Sequence, residues 1–407
     1  MEPSAGGSLA ALKLSRIRLA VVSISFFTYA RAALAVVIAF QVYQLTHSVL
    51  ALGWLGFAEA LPAIAIAPFG GYVADHFNRQ KILKVTRVVA VVCSLLLLSL
   101  SWGAQPASVV WLYVVIFING IARGFADPAT TGFEAQVVPR ELTVNAAAWF
   151  GAAWIASAIV GPATIGFVFQ FYGAFGSYLL IALCYLAASL FFWFIPVMPQ
   201  IFPERFENVF QGIRVGWRAL FNIQPLFASM ILDLFSVFFG GAIILLPVYA
   251  NDILKVGAGG LGLLNAAPSL GALLMTLVSA GRSPIKRAGR NLIWAVAGFG
   301  VSIVIFAFSR VFWLSLLMLF LSGAFDGVSM VIRRSMMRLL SPDHLRGRIA
   351  AAGSIFIVAS NELGAFESGM VAALIGTVPC VALGGLVTLL VVGVTTVYAG
   401  ELRGLRL

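Results

Sequence analysis

Charge is what this sequence has least of. Only 10% of its 407 residues are Asp, Glu, Lys or Arg, against roughly 25% in soluble domains, and that excludes an ordinary water-facing surface. Cysteine is nearly absent as well. Cys93, Cys184 and Cys380 each stand inside an apolar run, far from one another, so neither a disulfide framework nor a thiolate metal site is expected. The three histidines, His47, His76 and His344, fall in or near loops. No nucleophile, base and orienting group converge by spacing, so an enzyme is not expected, and neither is a cofactor or metal. A GxxxxGK[ST] phosphate loop is missing, which argues against ATP-driven transport. No Asn-x-Ser/Thr acceptor occurs either; with short outer loops, this points to a bacterial inner membrane.

What is plentiful is hydrocarbon. Hydrophobic residues make up 61% of the chain and the mean hydropathy is +1.02. Apolar runs of about 20 residues recur, each long enough to cross roughly 30 Å of lipid at 1.5 Å per residue. Helices are the default, because lipid cannot satisfy open backbone groups. Punctuation by Gly, Pro and charge places spans near 17–45, 48–74, 82–104, 108–135, 142–170 and 174–195, and a second six near 222–250, 258–281, 291–309, 311–335, 348–375 and 378–401. The polar first sixteen residues lack a cleavage site, so the first span is expected to be retained and not removed as a signal peptide.

Basic residues exceed acidic ones by 26 to 15, which in a soluble protein would suggest nucleic acid. With both termini cytoplasmic, however, 22 of the 26 Lys and Arg fall on the cytoplasmic side. That is the positive-inside pattern, and no nucleic-acid partner is needed to explain it. Trp54, Trp102, Trp111 and Trp313 mark the outer interface, and Trp193, Trp217 and Trp294 the inner one.

The halves of the chain are related. "GIARGFADPATTGFEAQVVPRELTVNAAA" from Gly120 matches "GAFDGVSMVIRRSMMRLLSPDHLRGRIAAA" from Gly323, an offset of 203 residues, with Pro139 and Pro342 each nineteen residues after the glycine. "LGFAEALP" ending at Pro62 likewise matches "LGLLNAAP" ending at Pro268. Parallel repeats follow: a six-helix bundle over 1–198, a cytoplasmic linker with a short amphipathic helix over 199–220, and a second six-helix bundle over 221–407.

This all-α, twelve-span, two-bundle plan resembles the major facilitator superfamily. After the second span, "GGYVADHFNRQK" is similar to that family's loop signature, with Gly71, Asp75 and Arg79 as its conformational switch residues. Gly71 is expected to permit close helix contact. Asn78 stands where the family usually has Gly and is expected to take the left-handed conformation there. Gly161 and Pro162 partly resemble the family's antiporter motif, while "LLPVYANDIL", "SPDHLRGR" and "SNELGAFESG" resemble the branch of enterobactin exporters and related multidrug efflux proteins.

Six charges sit at comparable depth inside spans: Arg31, Glu59, Arg123, Asp233, Asp326 and Glu362. A charge at bilayer centre costs at least about 2.5 to 3.5 kcal/mol on insertion scales, so each is expected to face water or a partner. Spans 1, 4, 7 and 10 line the central cavity in the resembling family, which implies Arg31 and Arg123 on one wall and Asp233 and Asp326 on the other. Arg31 has Glu59 as a candidate partner, Arg123 has Asp127 one turn on, and the repeat sets Arg123 opposite Asp326. Asp233 has no basic residue within one turn and is the leading proton-site candidate. Glu367 lies about 140° around the helix from Glu362 and nearer the outer side.

The expected protein is therefore a monomeric, proton-coupled exporter of a small amphipathic or catecholate-like molecule or drug, with protons, substrate and membrane lipids as partners. Two rivals stand beside it. A lipid or lysophospholipid translocator could use the same arginines on a phosphate head group. A non-transporting sensor could keep the fold and bind without turnover.

Overall fold

The computed structural model describes residues 9–102, 108–198, 209–240, 242–280, 287–342 and 345–405, with no strand among them. The first five long helices are α1 (Ser15–Thr46), α2 (Val49–His76), α3 (Arg79–Leu100), α4 (Val109–Val137) and α5 (Thr143–Trp193). Gly173, at φ 64° and ψ −161°, breaks α5 into two helical arms, where only glycine adopts such a backbone at little cost. The two arms correspond to the stretches 142–170 and 174–195 expected as separate spans.

The later helices are α6 (Val209–Asn222), α7 (Gln224–Gly240), α8 (Gly257–Ala280), α9 (Ala288–Phe308), α10 (Phe312–Leu340), α11 (Arg346–Ile375) and α12 (Thr377–Tyr398). Between α7 and α8 the chain runs through a 3₁₀ turn at Ala242–Leu245 and a π-helical turn at Tyr249–Ile253. Ten helical stretches among the described residues are long and apolar enough to cross a membrane. The helix α6 occupies the described part of the expected linker, whereas residues 199–208 lie outside the described residues. Leu220 on α6 is buried, while Arg214 and Arg218 are exposed.

The described chain divides into two compact units, Met1–Thr46 with Ala58–Arg205, and His47–Phe57 with Phe206–Leu407. The first turns of α2 thus group with the second unit, where Trp54 and Phe57 both meet Phe366 of α11.

Within the first unit, small residues let backbones approach. Gly161 of α5 faces the Tyr29 carbonyl of α1, where an added Cβ would lie 3.0 Å away. Beside it Tyr29 and Thr164 share a 2.6 Å hydrogen bond, and the Ser157 hydroxyl donates to the Ser25 carbonyl. Pro162, next in sequence, is also buried. On the other side, Gly120 and Gly124 of α4 press against Pro62 and Ile66 of α2. The second unit repeats this: Gly323 of α10 presses on Pro268 of α8 and Gly327 on Ala272. The matched sequence segments therefore make matched contacts.

Gly71 does not make the close helix contact expected of it. A Cβ there would meet nothing within 4 Å, whereas one on Gly70 would run into the Gly124 backbone. One residue is about 100° of helix rotation, enough to turn Gly71 away from α4 and Gly70 onto it. Gly70→Ala should lower thermal stability by about 1 to 3 kcal/mol through overpacking, and Gly71→Ala should leave it unchanged. Melting of the detergent-purified variants by intrinsic fluorescence checks the difference.

Candidate substrate and coupling site

In the first unit a cavity of about 240 Å³ opens between α1, α2, α3, α4 and α5. Aromatic and small apolar side chains form most of its wall, including Phe27, Trp154 and Tyr185, and four charges converge in it: Arg31, Glu59, Arg123 and Asp127. Arg123 donates from Nη1 to Glu59 Oε1 and from Nε to Asp127 Oδ2, each at 3.3 Å. Asp127 Oδ1 lies 3.8 Å from Arg31 Nη1. The four charges form a chain, Glu59–Arg123–Asp127–Arg31, whose sum is zero.

This differs from the expected Arg31–Glu59 pair. The Gly120 contact seats α4 against the Glu59 backbone, which brings Glu59 to Arg123, one turn along α4. Asp127 is another turn on, and it links both arginines. Asp127 is also the most open member, with 58% of its side chain exposed.

The second unit has a different arrangement. Arg333 of α10 forms an ion pair with Asp233 of α7 and reaches Asp326 Oδ1 at 3.5 Å through Nη2. The Asp233 and Arg333 side chains are 7% and 9% exposed, whereas Asp326 is 42% exposed. Asp233 and Asp326 also border a void of about 10 Å³ with Ser236, Ser329, Phe299 and Phe325, room for about one water. One cation between two carboxylates leaves one negative charge unbalanced.

Asp233 has no basic residue within one turn of its own helix, and its partner Arg333 comes from α10, where it also pairs with Asp326. Arg333 falls near the cytoplasmic end of the expected span 311–335, and α10 continues to Leu340, which places it two turns inside the helix. Asp326 and Arg333 are seven residues apart, so they share a helix face; that spacing was the available signal. Glu362 lies in α11, with its side chain outside the described residues. Glu367 is half-buried and accepts from the Ser368 hydroxyl.

The loop signature forms a cap. Arg79 donates to the Ala74 carbonyl from Nε, to the Gly132 carbonyl of α4 from Nη1, and to Asp75 from Nη2 at 3.3 Å. It thereby serves C-terminal carbonyls of two helices, whose dipoles favour a cation there. Asn78 is extended (φ −63°, ψ 112°), not left-handed, because it is the N-cap of α3 and its side chain accepts from the Lys81 N–H. Gln80, buried beside it, donates to the Pro196 carbonyl and accepts from the Met198 N–H.

The sequence matches the Major Facilitator Superfamily family model over residues 20–365. The chain belongs to that superfamily. Members of this superfamily carry small molecules across membranes, and the chain is a multi-span transporter, not an enzyme. Among curated proteins it is similar to the enterobactin exporter EntS of Shigella flexneri, 23% identical over 92% of this chain and 89% of that protein. The EntS of Salmonella choleraesuis is 24% identical at the same coverage. Among solved structures it resembles a D-xylose–proton symporter, with a TM-score of 0.75 and 15% identity over 97% of this chain and 99% of that one. A POT family transporter in complex with 5-aminolevulinic acid also gives a TM-score of 0.75, at 10% identity over 95% and 96% of the two chains.

Removing one partner of a buried ion pair strands the other, at about 3 to 5 kcal/mol. Arg333→Gln should therefore destabilise the transporter by about that amount, and Asp233→Asn with Arg333→Gln should recover a large part. Retention of a monodisperse gel-filtration peak after graded heating measures both.

Proposed function

We propose that this superfamily member is a proton-coupled exporter of small amphipathic or catecholate-like molecules, working by alternating access. Twelve spans, both termini cytoplasmic, a bacterial inner membrane and a monomeric state complete the reading. The observation that carries it is the Asp233–Arg333–Asp326 cluster, where one guanidinium serves two carboxylates and leaves one negative charge in excess. One proton neutralises that excess. The two carboxylates titrate as a pair around the shared guanidinium, and Asp326, the more open one, exchanges its proton with water.

Substrate binds in the cavity of the first unit, where Arg31 and Arg123 are its polar anchors and Glu59 and Asp127 hold those arginines when it is empty. Glu362 belongs to the same group of candidate coupling acids. Gly71, Asp75 and Arg79 act as the switch that favours one state, and Gly161 with Pro162 sets the close α1–α5 packing behind the cavity. The similarity to enterobactin exporters supports outward transport of a catecholate-like molecule. A proton entering from outside would release the paired acids and arginine, and substrate would leave in exchange.

The test uses proteoliposomes with an imposed pH gradient and a lumenal pH dye, challenged with catecholates, lipophilic cations and lysolipids. Wild type should show substrate-dependent proton flux. Asp233→Asn and Asp326→Asn should each reduce it at least about tenfold, and Arg31→Ala should weaken substrate movement. Substrate movement with no proton flux would favour facilitated or lipid translocation, and binding without any movement would favour a sensor.

A further inference from the structure

Arg87 is a buried cation that the site described above does not use. It lies within α3, only 5% exposed, near the cytoplasmic end of the span expected over 82–104. Its Nη2 donates to the Ser23 hydroxyl at 3.3 Å, and that hydroxyl donates to the Ala188 carbonyl. Its guanidinium carbon sits 3.9 Å from the Phe192 ring centroid and 5.1 Å from that of Phe27. Its Nε has no hydrogen-bond partner, and among the described residues no carboxylate pairs with it. An arginine keeps its charge in any protein environment, so a full positive charge is buried here with ring faces as its main company.

Phe27 is shared between Arg87 and the cavity. Phe27 lines it, as do Thr86 and Ala90 on the same helix as Arg87. The four charges inside the cavity sum to zero, so Arg87, packed against the wall residue Phe27, adds one net positive charge beside it. Low-dielectric surroundings focus the field of such a charge and screen it little.

We propose that Arg87 makes this cavity selective for anions: its ligand is a small aromatic carrying one negative charge. The ring packs among Phe27, Trp154 and Tyr185, and the anion competes with Asp127 for Arg31 and Arg123. A cavity of about 240 Å³ suits a one- or two-ring compound. Arg87 is a positioning residue that acts through the wall residue Phe27. The inference rests on the cavity being the substrate site and narrows the substrate class to anions.

The experiment compares two ligands with the same ring and opposite charge, 2-naphthoate and 2-naphthylmethylammonium, by equilibrium dialysis against protein in zwitterionic nanodiscs, with empty nanodiscs as background. Wild type should bind the carboxylate at least about tenfold more tightly than the amine. Arg87→Gln should shrink that ratio about fivefold or more, and Arg87→Lys should retain most of it. Ser23→Asp supplies the missing carboxylate with Arg87 intact, and it should shrink the ratio even if Arg87→Gln does not fold. Preference for the amine, no saturable binding of either probe, or a ratio unchanged by both Arg87→Gln and Ser23→Asp would overturn the proposal. Transport failing with anion selectivity intact would sink only the exporter reading; proton-coupled export of the amine would sink only this one.

Discussion

A charge removed from water needs a counter-charge or an aromatic face at hand, and among the described residues the Arg123–Glu59 and Arg333–Asp233 pairs and the ring-stacked Arg87 are positioned by that requirement. Helix contacts through glycine make it possible. Gly120 and Gly124 bring α4 close enough to α2 for Arg123 to reach Glu59, and Gly323 and Gly327 do the same for α10 and α8. Bulkier residues there would hold the helices apart, and Arg123 and Glu59 would lose contact at a cost of several kcal/mol per stranded ion.

The repeats share their packing and differ in their electrostatics. In the first unit, carboxylates and arginines alternate along a chain that closes at zero charge. In the second, one arginine serves two acids. The positions that carry Arg31 and Arg123 in the first half are occupied by or lie next to Asp233 and Asp326 in the second. A duplicated scaffold thus has two chemically distinct halves, one with a balanced chain of four charges and the other with one arginine shared between two acids.

The architecture was legible because lipid leaves few options: long apolar runs, repeated Gly and Pro landmarks and the loop signature all point to one fold. Charges at mid-span were legible for the same reason, since any such residue is conspicuous. Partner choice was not. Arg31 and Glu59 are at the same depth, but depth along a helix says nothing of rotation about it, and rotation sends Arg31 to Asp127. Arg333 and Arg87 stand near the cytoplasmic ends of the expected spans, where the positive-inside count takes them for end charges, whereas α10 and α3 extend past those ends and carry both inward. Gly70 and Gly71 show the same limit, since adjacent letters face directions that only packing distinguishes.

The Gln80 amide makes the start of α3 and the chain leaving α5 one mechanical piece. It holds both the Pro196 carbonyl and the Met198 N–H, and parting them would leave two polar groups unmet, at about 1 to 3 kcal/mol each. Gln80 is also the immediate neighbour of Arg79, which staples α2 to α4. A displacement that breaks the Arg79 cap is therefore passed directly to the root of the connecting segment. The segment leaving α5 thus has a fixed anchor beside the Arg79 cap.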